Sequence, residues 1–161
     1  MEYIEAPWRF DYVSRAESAG ECIFCAALGG GRGTLTLVEG DHAFAMLNKY
    51  PYTSGHTMVA PKQHTADFEN LPAETLGEML SMCQAIVRAL RTLYRPHAFN
   101  IGFNLGESAG AGVADHLHLH IVPRWRGDTS FMTTLAATRV LPESLETTWE
   151  RLSEVLRGHG A

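Results

Sequence analysis

Three histidines occupy alternate positions in His116-Leu117-His118-Leu119-His120-Ile121-Val122-Pro123. In an extended strand alternate side chains share a face, so this spacing predicts three imidazoles on one surface. Leu117, Leu119 and Ile121 then point into a core. Imidazole, with an ordinary pKa of about 6.5, is largely neutral at pH 7 and serves as nucleophile, base or metal ligand. The residues leave three readings open. One histidine attacks phosphorus while its neighbours polarise the substrate; two or three hold a catalytic zinc; or the row is an exposed polar face that happens to be rich in histidine. The preceding segment, Asn100–Asp115, contains Gly102, Gly106, Gly110 and Gly112 with Ser108 among them. Such a loop lets backbone N–H groups close on an anion, and its position suggests phosphate held beside a nucleophile. Cys22 and Cys25 form a CxxC pair, open between redox and zinc chemistry. Zinc needs two further ligands, which His64 and the histidine row offer. No βαβ pattern surrounds the pair, which weakens the redox reading. Cys83 reads as a core thiol, and His42, His97 and His159 as surface residues.

The elements that must position these groups follow from patterning. Thr34–Val38 and Ala43–Leu47 read as strands of a hairpin turning at Glu39-Gly40-Asp41, after a flexible Gly29–Gly33 turn. Pro51 to Gly55 breaks the chain before a short strand at Thr57–Ala60. Ala73–Tyr94 is the clearest helix, bounded by Pro72 and Pro96. Leu76, Met79, Leu80, Cys83, Val87 and Leu90 form its apolar stripe. Ala98–Leu105 and His116–Val122 are further strands. A weaker helical pattern covers Glu143–Leu156, within a C-terminal helical segment at 142–158. The order of strands, helix, strands, helix predicts an α+β domain with an antiparallel sheet. No repeat or long linker divides the chain, so 1–161 reads as one domain. Residues 1–20 form an N-terminal arm with an aromatic patch at Trp8, Phe10 and Tyr12.

At 161 residues, 45% hydrophobic and 19% charged, the chain buries a substantial core, and wholesale disorder is not expected. A net charge of -5 argues against nonspecific nucleic-acid binding, which runs on phosphate neutralisation by cationic side chains. No apolar run reaches membrane-span length, and the first ten residues lack signal-peptide character. A cytoplasmic protein without nucleic-acid or membrane partners is expected.

Taken together, the motifs resemble the histidine triad (HIT) superfamily of nucleotide hydrolases and transferases. They are the histidine row, Asn48 to Pro51, Gly55-His56-Thr57-Met58-Val59 and Pro61-Lys62-Gln63-His64. The resemblance spans residues 22–132. Ala6-Pro7-Trp8-Arg9, Phe99-Asn100-Ile101-Gly102, Ala114-Asp115-His116, Pro123-Arg124-Trp125 and Gly127-Asp128-Thr129-Ser130-Phe131-Met132 resemble one branch of it, the bacterial and archaeal diadenosine tetraphosphate phosphorylases or ATP adenylyltransferase-like proteins. The resemblance implies a homodimeric enzyme that cleaves dinucleoside polyphosphates through a covalent nucleotidyl-histidine. It makes His118 the nucleophile and His120 the donor to the phosphate or leaving oxygen. Asn104, Gly110, Ala111 and Gly112 become the phosphate loop. Relatives carry polar residues where Gly112 or Val113 stands here, which leaves backbone N–H groups and Ser108 to contact phosphate. The resemblance also implies a zinc site of Cys22, Cys25, His64 and His116; four protein ligands would make that zinc structural. Ile23, Phe24, Phe44 and Leu47 are candidate walls of a base pocket. Competing readings are a nucleoside phosphoramidase or nucleotide-conjugate hydrolase, and a nucleotide-binding module without activity.

Overall fold

A computed structural model describes residues 21–128 and 141–158. The aromatic patch of the N-terminal arm, the motif residues Thr129–Met132 and His159 lie outside the described residues. The elements in chain order are α1 (Ile23–Ala27), a 3-10 turn (Gly31–Thr34), β1 (Thr36–Glu39), β2 (Ala43–Leu47), β3 (Thr57–Pro61), α2 (Ala73–Tyr94), β4 (Ala98–Phe103), a second 3-10 turn (Glu107–Ala109), β5 (Leu119–Arg124) and α3 (Leu145–Gly158). The strands form one sheet in the order β1-β2-β3-β5-β4, antiparallel at every pairing. This is the α+β architecture that the element order predicts.

Strand periodicity sorts the sheet into two faces. Ala43, Ala45, Leu47, Val59, Leu119 and Ile121 join Met79, Cys83, Ile86 and Leu90 of α2 and Leu152 and Leu156 of α3 in the main core. On the opposite face Phe44, Met46, Met58 and Ala60 pack beneath Phe24 and Ala27 of α1. Leu47 therefore faces the helix side, away from the histidines, and is removed from the candidate base-pocket wall. Two residues on from Ala45 along a strand, it has no other face to take.

The long helix has the limits expected of it, with Arg95 in the left-handed region at its end, before Pro96. Its buried stripe is Thr75, Met79, Cys83, Ile86, Ala89 and Leu90, while Leu80 is exposed. The stripe runs one residue round from the expected one because Ile86 and Ala89, not Leu76 and Leu80, meet the sheet. The five-residue α1 has no counterpart in the sequence pattern, being too short to show a period. α3 docks through Trp149, whose Nε1–H donates to Thr36 O at 2.7 Å. Glu143 supports it by accepting from Thr148, Arg151 and the Tyr94 hydroxyl.

Two glycines matter to how the site is framed. At Gly40 a Cβ would lie 1.7 Å from Glu78 Oε1, the carboxylate that accepts from the N–H groups of Asp41 and His42 and closes the hairpin turn. Gly55, with φ +78°, ends the β2–β3 loop just before His56, and a Cβ there would meet Leu90 Cδ2 at 2.6 Å. We expect Gly55→Ala to cost about 1–3 kcal/mol from left-handed backbone strain and core contact, measured by urea unfolding. An unchanged midpoint would refute this account of the loop.

Candidate functional site

The Cys22, Cys25, His64 and His116 side chains converge from three segments. Cys22 caps the N-terminus of α1 and Cys25 lies within it, His64 follows β3, and His116 precedes β5. Their ligand atoms all lie within 4.8 Å of one another. Cys22 Sγ is 3.3 Å from His116 Nδ1, Cys25 Sγ is 3.3 Å from His64 Nδ1 and 3.7 Å from His116 Nδ1. A tetrahedron built on Zn–S of about 2.3 Å and Zn–N of about 2.0 Å has edges of roughly 3.3–3.8 Å, so the donor set and its spacing fit zinc. His116 is fully buried, and its Nε2 lies 2.9 Å from Pro61 O. A carbonyl only accepts, so Nε2 carries the proton and the Nδ1 lone pair faces the two thiols. That is the orienting hydrogen bond expected behind a ligating histidine.

His116 and His118 precede the hydrogen-bonded part of β5, yet the alternation holds: Leu117 and Leu119 are buried and all three imidazoles lie together. The Phe24 ring of α1 stands 5.0 Å from His116 and 4.8 Å from His118, and the His118 and His120 rings are 4.8 Å apart. His118 Nδ1 is 2.8 Å from the carbonyl oxygen of His116. Again the carbonyl must accept, so the proton resides on Nδ1 and the Nε2 lone pair is available for attack. Burial lowers the pKa of His116 and His118. For His120, burial with nearby His118 lowers it to about 4. The three rings are therefore neutral at pH 7.

His56, present only as part of a motif in the sequence, completes a relay. The Tyr52 N–H donates to His56 Nδ1 at 3.1 Å, and His56 Nε2 lies 2.9 Å from His120 Nδ1. A backbone N–H only donates, so in the neutral ring His56 Nε2–H donates to His120 Nδ1. His120 is thereby left with its proton on Nε2. One backbone amide thus fixes two tautomers, giving adjacent rings of opposite character: His118 with a free lone pair at Nε2 and His120 with an N–H donor there. A buried histidine at the start of an apolar strand was the available signal. Its partner His120 belongs to the row itself, but the two meet only through the pairing of β3 with β5, which the sequence does not show.

The glycine loop is less open to an anion than its composition suggests. Gly110 N–H donates to Glu107 O and Ala111 N–H to Gly106 O, which leaves the Gly112 amide without an acceptor among the described residues. Ser108 is exposed on the second 3-10 turn, and Asn104 donates from Nδ2 to Gly110 O at 3.5 Å. Asn104 and His120 share a groove of about 330 Å³ that runs along β4 and β5 to Arg124. Of the base-pocket candidates, Phe24 and Phe44 are buried beside the histidine face and Ile23 is exposed.

Residues 33–127 match the family model described as HIT domain. The chain is 39% identical over 149 residues to an AP-4-A phosphorylase of Mycobacterium tuberculosis, covering 92% of this chain and 76% of that protein. Among solved structures it is similar to a Zn-bound histidine triad family protein from Mycobacterium smegmatis: TM-score 0.70, 34% identity, 87% of this chain and 96% of that one. It is also similar to a hypothetical histidine triad nucleotide-binding protein from Sulfolobus tokodaii, with TM-score 0.68 and 28% identity, over 85% and 93% of the two chains.

The tautomers are directly testable. Two-dimensional ¹H–¹⁵N spectra of the imidazoles should show His118 protonated at Nδ1 and His120 at Nε2, with His120 neutral down to about pH 4. Unfolded histidine takes up its proton near pH 6.5, so the unfolded state binds more protons between those values. Folding stability should therefore fall as pH drops from about 6.5 toward 4. A His120 that titrates near 6.5 would contradict this geometry.

Proposed function

The chain belongs to the HIT domain family, and on that premise we propose that it cleaves dinucleoside polyphosphates through a nucleotidyl group carried on His118. Family membership supports nucleotide processing and an enzyme acting on phosphoric anhydride bonds. Diadenosine tetraphosphate is the favoured substrate because the M. tuberculosis relative is named for it and the match covers most of both chains. The observation that carries the reading is the pairing of a lone pair at His118 Nε2 with an N–H at His120 Nε2, both in a neutral, half-shielded cluster.

In the proposed reaction the His118 Nε2 lone pair forms a bond to the α-phosphorus, and the bond to the bridging oxygen of the leaving polyphosphate breaks. The His120 Nε2–H donates to the oxygen that acquires charge, with its imidazole held by His56. Inorganic phosphate or water then attacks the same phosphorus, the P–N bond breaks, and His118 is restored. Two displacements replace one difficult one. Asn104, Ser108, Gly110, Ala111 and Gly112 remain the proposed phosphate contacts; of the three backbone N–H groups, those of Gly110 and Ala111 are engaged within the loop and that of Gly112 is not, among the described residues. Cys22, Cys25, His64 and His116 would hold zinc in a closed shell, where it supplies folding energy and leaves the chemistry to the protein. A homodimer joined along the outer edge of β4 is supported by exposed Ile101 and Leu105 there. Among the described residues no helix is long and apolar enough to cross a membrane.

Two measurements check this reading. Labelled diadenosine tetraphosphate should yield ATP and ADP when phosphate is supplied, whereas ATP and AMP would mark hydrolysis. His118→Ala should lower turnover by about a thousandfold or more, and retained activity would remove His118 from the role. For the metal, the purified wild type should carry about one zinc per chain by elemental analysis. Cys25→Ser should lose it and drop Tm by roughly 10 °C, about 3 kcal/mol for a chain of this size. An unchanged Tm in the metal-free protein would contradict a structural role.

A further inference from the structure

Arg124, the residue at the far end of the groove from His120, has no part in the reaction described so far. Both residues lie on the same face of β5 four positions apart, so their Cα atoms are separated by about 13 Å of strand. The guanidinium is held from behind. Its Nε donates to Asp128 Oδ2 at 2.6 Å and its Nη2 to Asp128 Oδ1 at 3.0 Å. From the side, Nη1 donates to Asn100 Oδ1 at 2.8 Å. The Asp128 side chain is 12% exposed and that of Arg124 42% exposed, so the carboxylate is tucked away while the cation keeps an open side. Three of its five N–H donors are engaged by these partners, and among the described residues one on each terminal nitrogen is left.

The rest of the groove sharpens the contrast. Among the described residues its lining contains no carboxylate, and Arg124 is the one permanently charged residue. Thr53 Oγ is already directed to Pro123 O, and the neutral His120 ring brings no charge of its own. A half-exposed arginine–aspartate pair contributes at most modestly to stability, even with bidentate geometry. A guanidinium immobilised by a bidentate carboxylate and an amide is instead preorganised, because the rotamer entropy of the long side chain is lost before any ligand arrives.

We propose that Arg124 is a specificity-determining residue that binds the polyphosphate chain of the departing nucleotide, so that the site selects leaving groups carrying phosphates beyond the reacting one. This rests on the reading of His118 as nucleophile. With the α-phosphate between His118 and His120, the groove runs from the bridging oxygen toward Arg124, and its length suits a short polyphosphate chain. Asn100 and Asp128 act as positioning residues for the guanidinium. An uncharged leaving group, such as an amine or a phenol, makes no contact there.

The test compares two substrates that share the adenylyl group: diadenosine tetraphosphate and the p-nitrophenyl ester of AMP. In Arg124→Gln the ratio of their kcat/KM values should shift 10- to 100-fold against the tetraphosphate, about 1.4–2.8 kcal/mol at 1.4 kcal/mol per decade. Arg124→Lys, which keeps the charge and loses the fork, should recover part of that ratio. Inorganic tripolyphosphate should inhibit cleavage of the ester by the wild type, and at least tenfold more weakly in Arg124→Gln. An equal fall on both substrates would reduce Arg124 to a structural role. A change confined to the KM for inorganic phosphate would assign it to the acceptor instead, and an unshifted ratio would refute the proposal outright. A wild type that cleaves the ester but leaves the tetraphosphate intact would overturn the functional reading, and tripolyphosphate inhibition would then judge Arg124 separately.

Discussion

The hydrogen bond from His118 Nδ1–H to the carbonyl oxygen of His116 is the interaction on which the site depends. It settles which nitrogen of His118 is free, and it works only if the His116 carbonyl stays in place. Residue 116 is anchored by its own side chain, with one ring nitrogen on Pro61 O and the other facing Cys22 and Cys25. The candidate metal cluster and the proposed nucleophile are thus joined through a single peptide group. Phe24 of α1 packs at a tilt against both imidazoles, so the short helix that presents the cysteines also covers the ring beside them. In this arrangement a structural metal would act on chemistry by holding a carbonyl, without touching substrate.

The second organising constraint is that one strand serves two faces. Leu119 and Ile121 sit in the core against α2 while His118 and His120 stand on the other side. Burying those leucine and isoleucine side chains, at about 25 cal/mol per Å² of apolar surface, fixes the strand register, and the register fixes the histidines. A slip by one residue would send the imidazoles into the core. The same logic places Asn100 and Gly102 beside Val122 and His120 across the β4–β5 pairing, and so builds the groove that leads to Arg124.

Much of this is legible in the chain because it depends on local period. The alternation at 116–122 predicts the two faces, the spacing of Met79, Cys83 and Leu90 predicts the long helix, and the Gly40 turn predicts the β1–β2 hairpin. The four cysteine and histidine residues that the family resemblance groups as zinc ligands do converge. What was not legible depends on contacts between distant segments. Leu80 fits the helical stripe but lies outside it, since the exact side that meets the sheet is decided by packing. Leu47 is apolar and near the site in sequence, yet strand geometry turns it to the other face. The amides of Gly110 and Ala111 are occupied by the loop's own turn, which composition does not reveal. His56 gains its partner only once β3 and β5 lie side by side.

The central claim is that His118 Nε2 attacks phosphorus and briefly carries the nucleotidyl group. The most direct measurement is a single turnover of diadenosine tetraphosphate without added phosphate, quenched in alkali on the millisecond scale and followed by mass spectrometry of the peptide containing residues 116–120. The account predicts a transient gain of one adenylyl group on that peptide, located at His118 and decaying as the second product forms. Product release at full rate with no adduct on His118 at any time, or with the adduct on another residue, would contradict it.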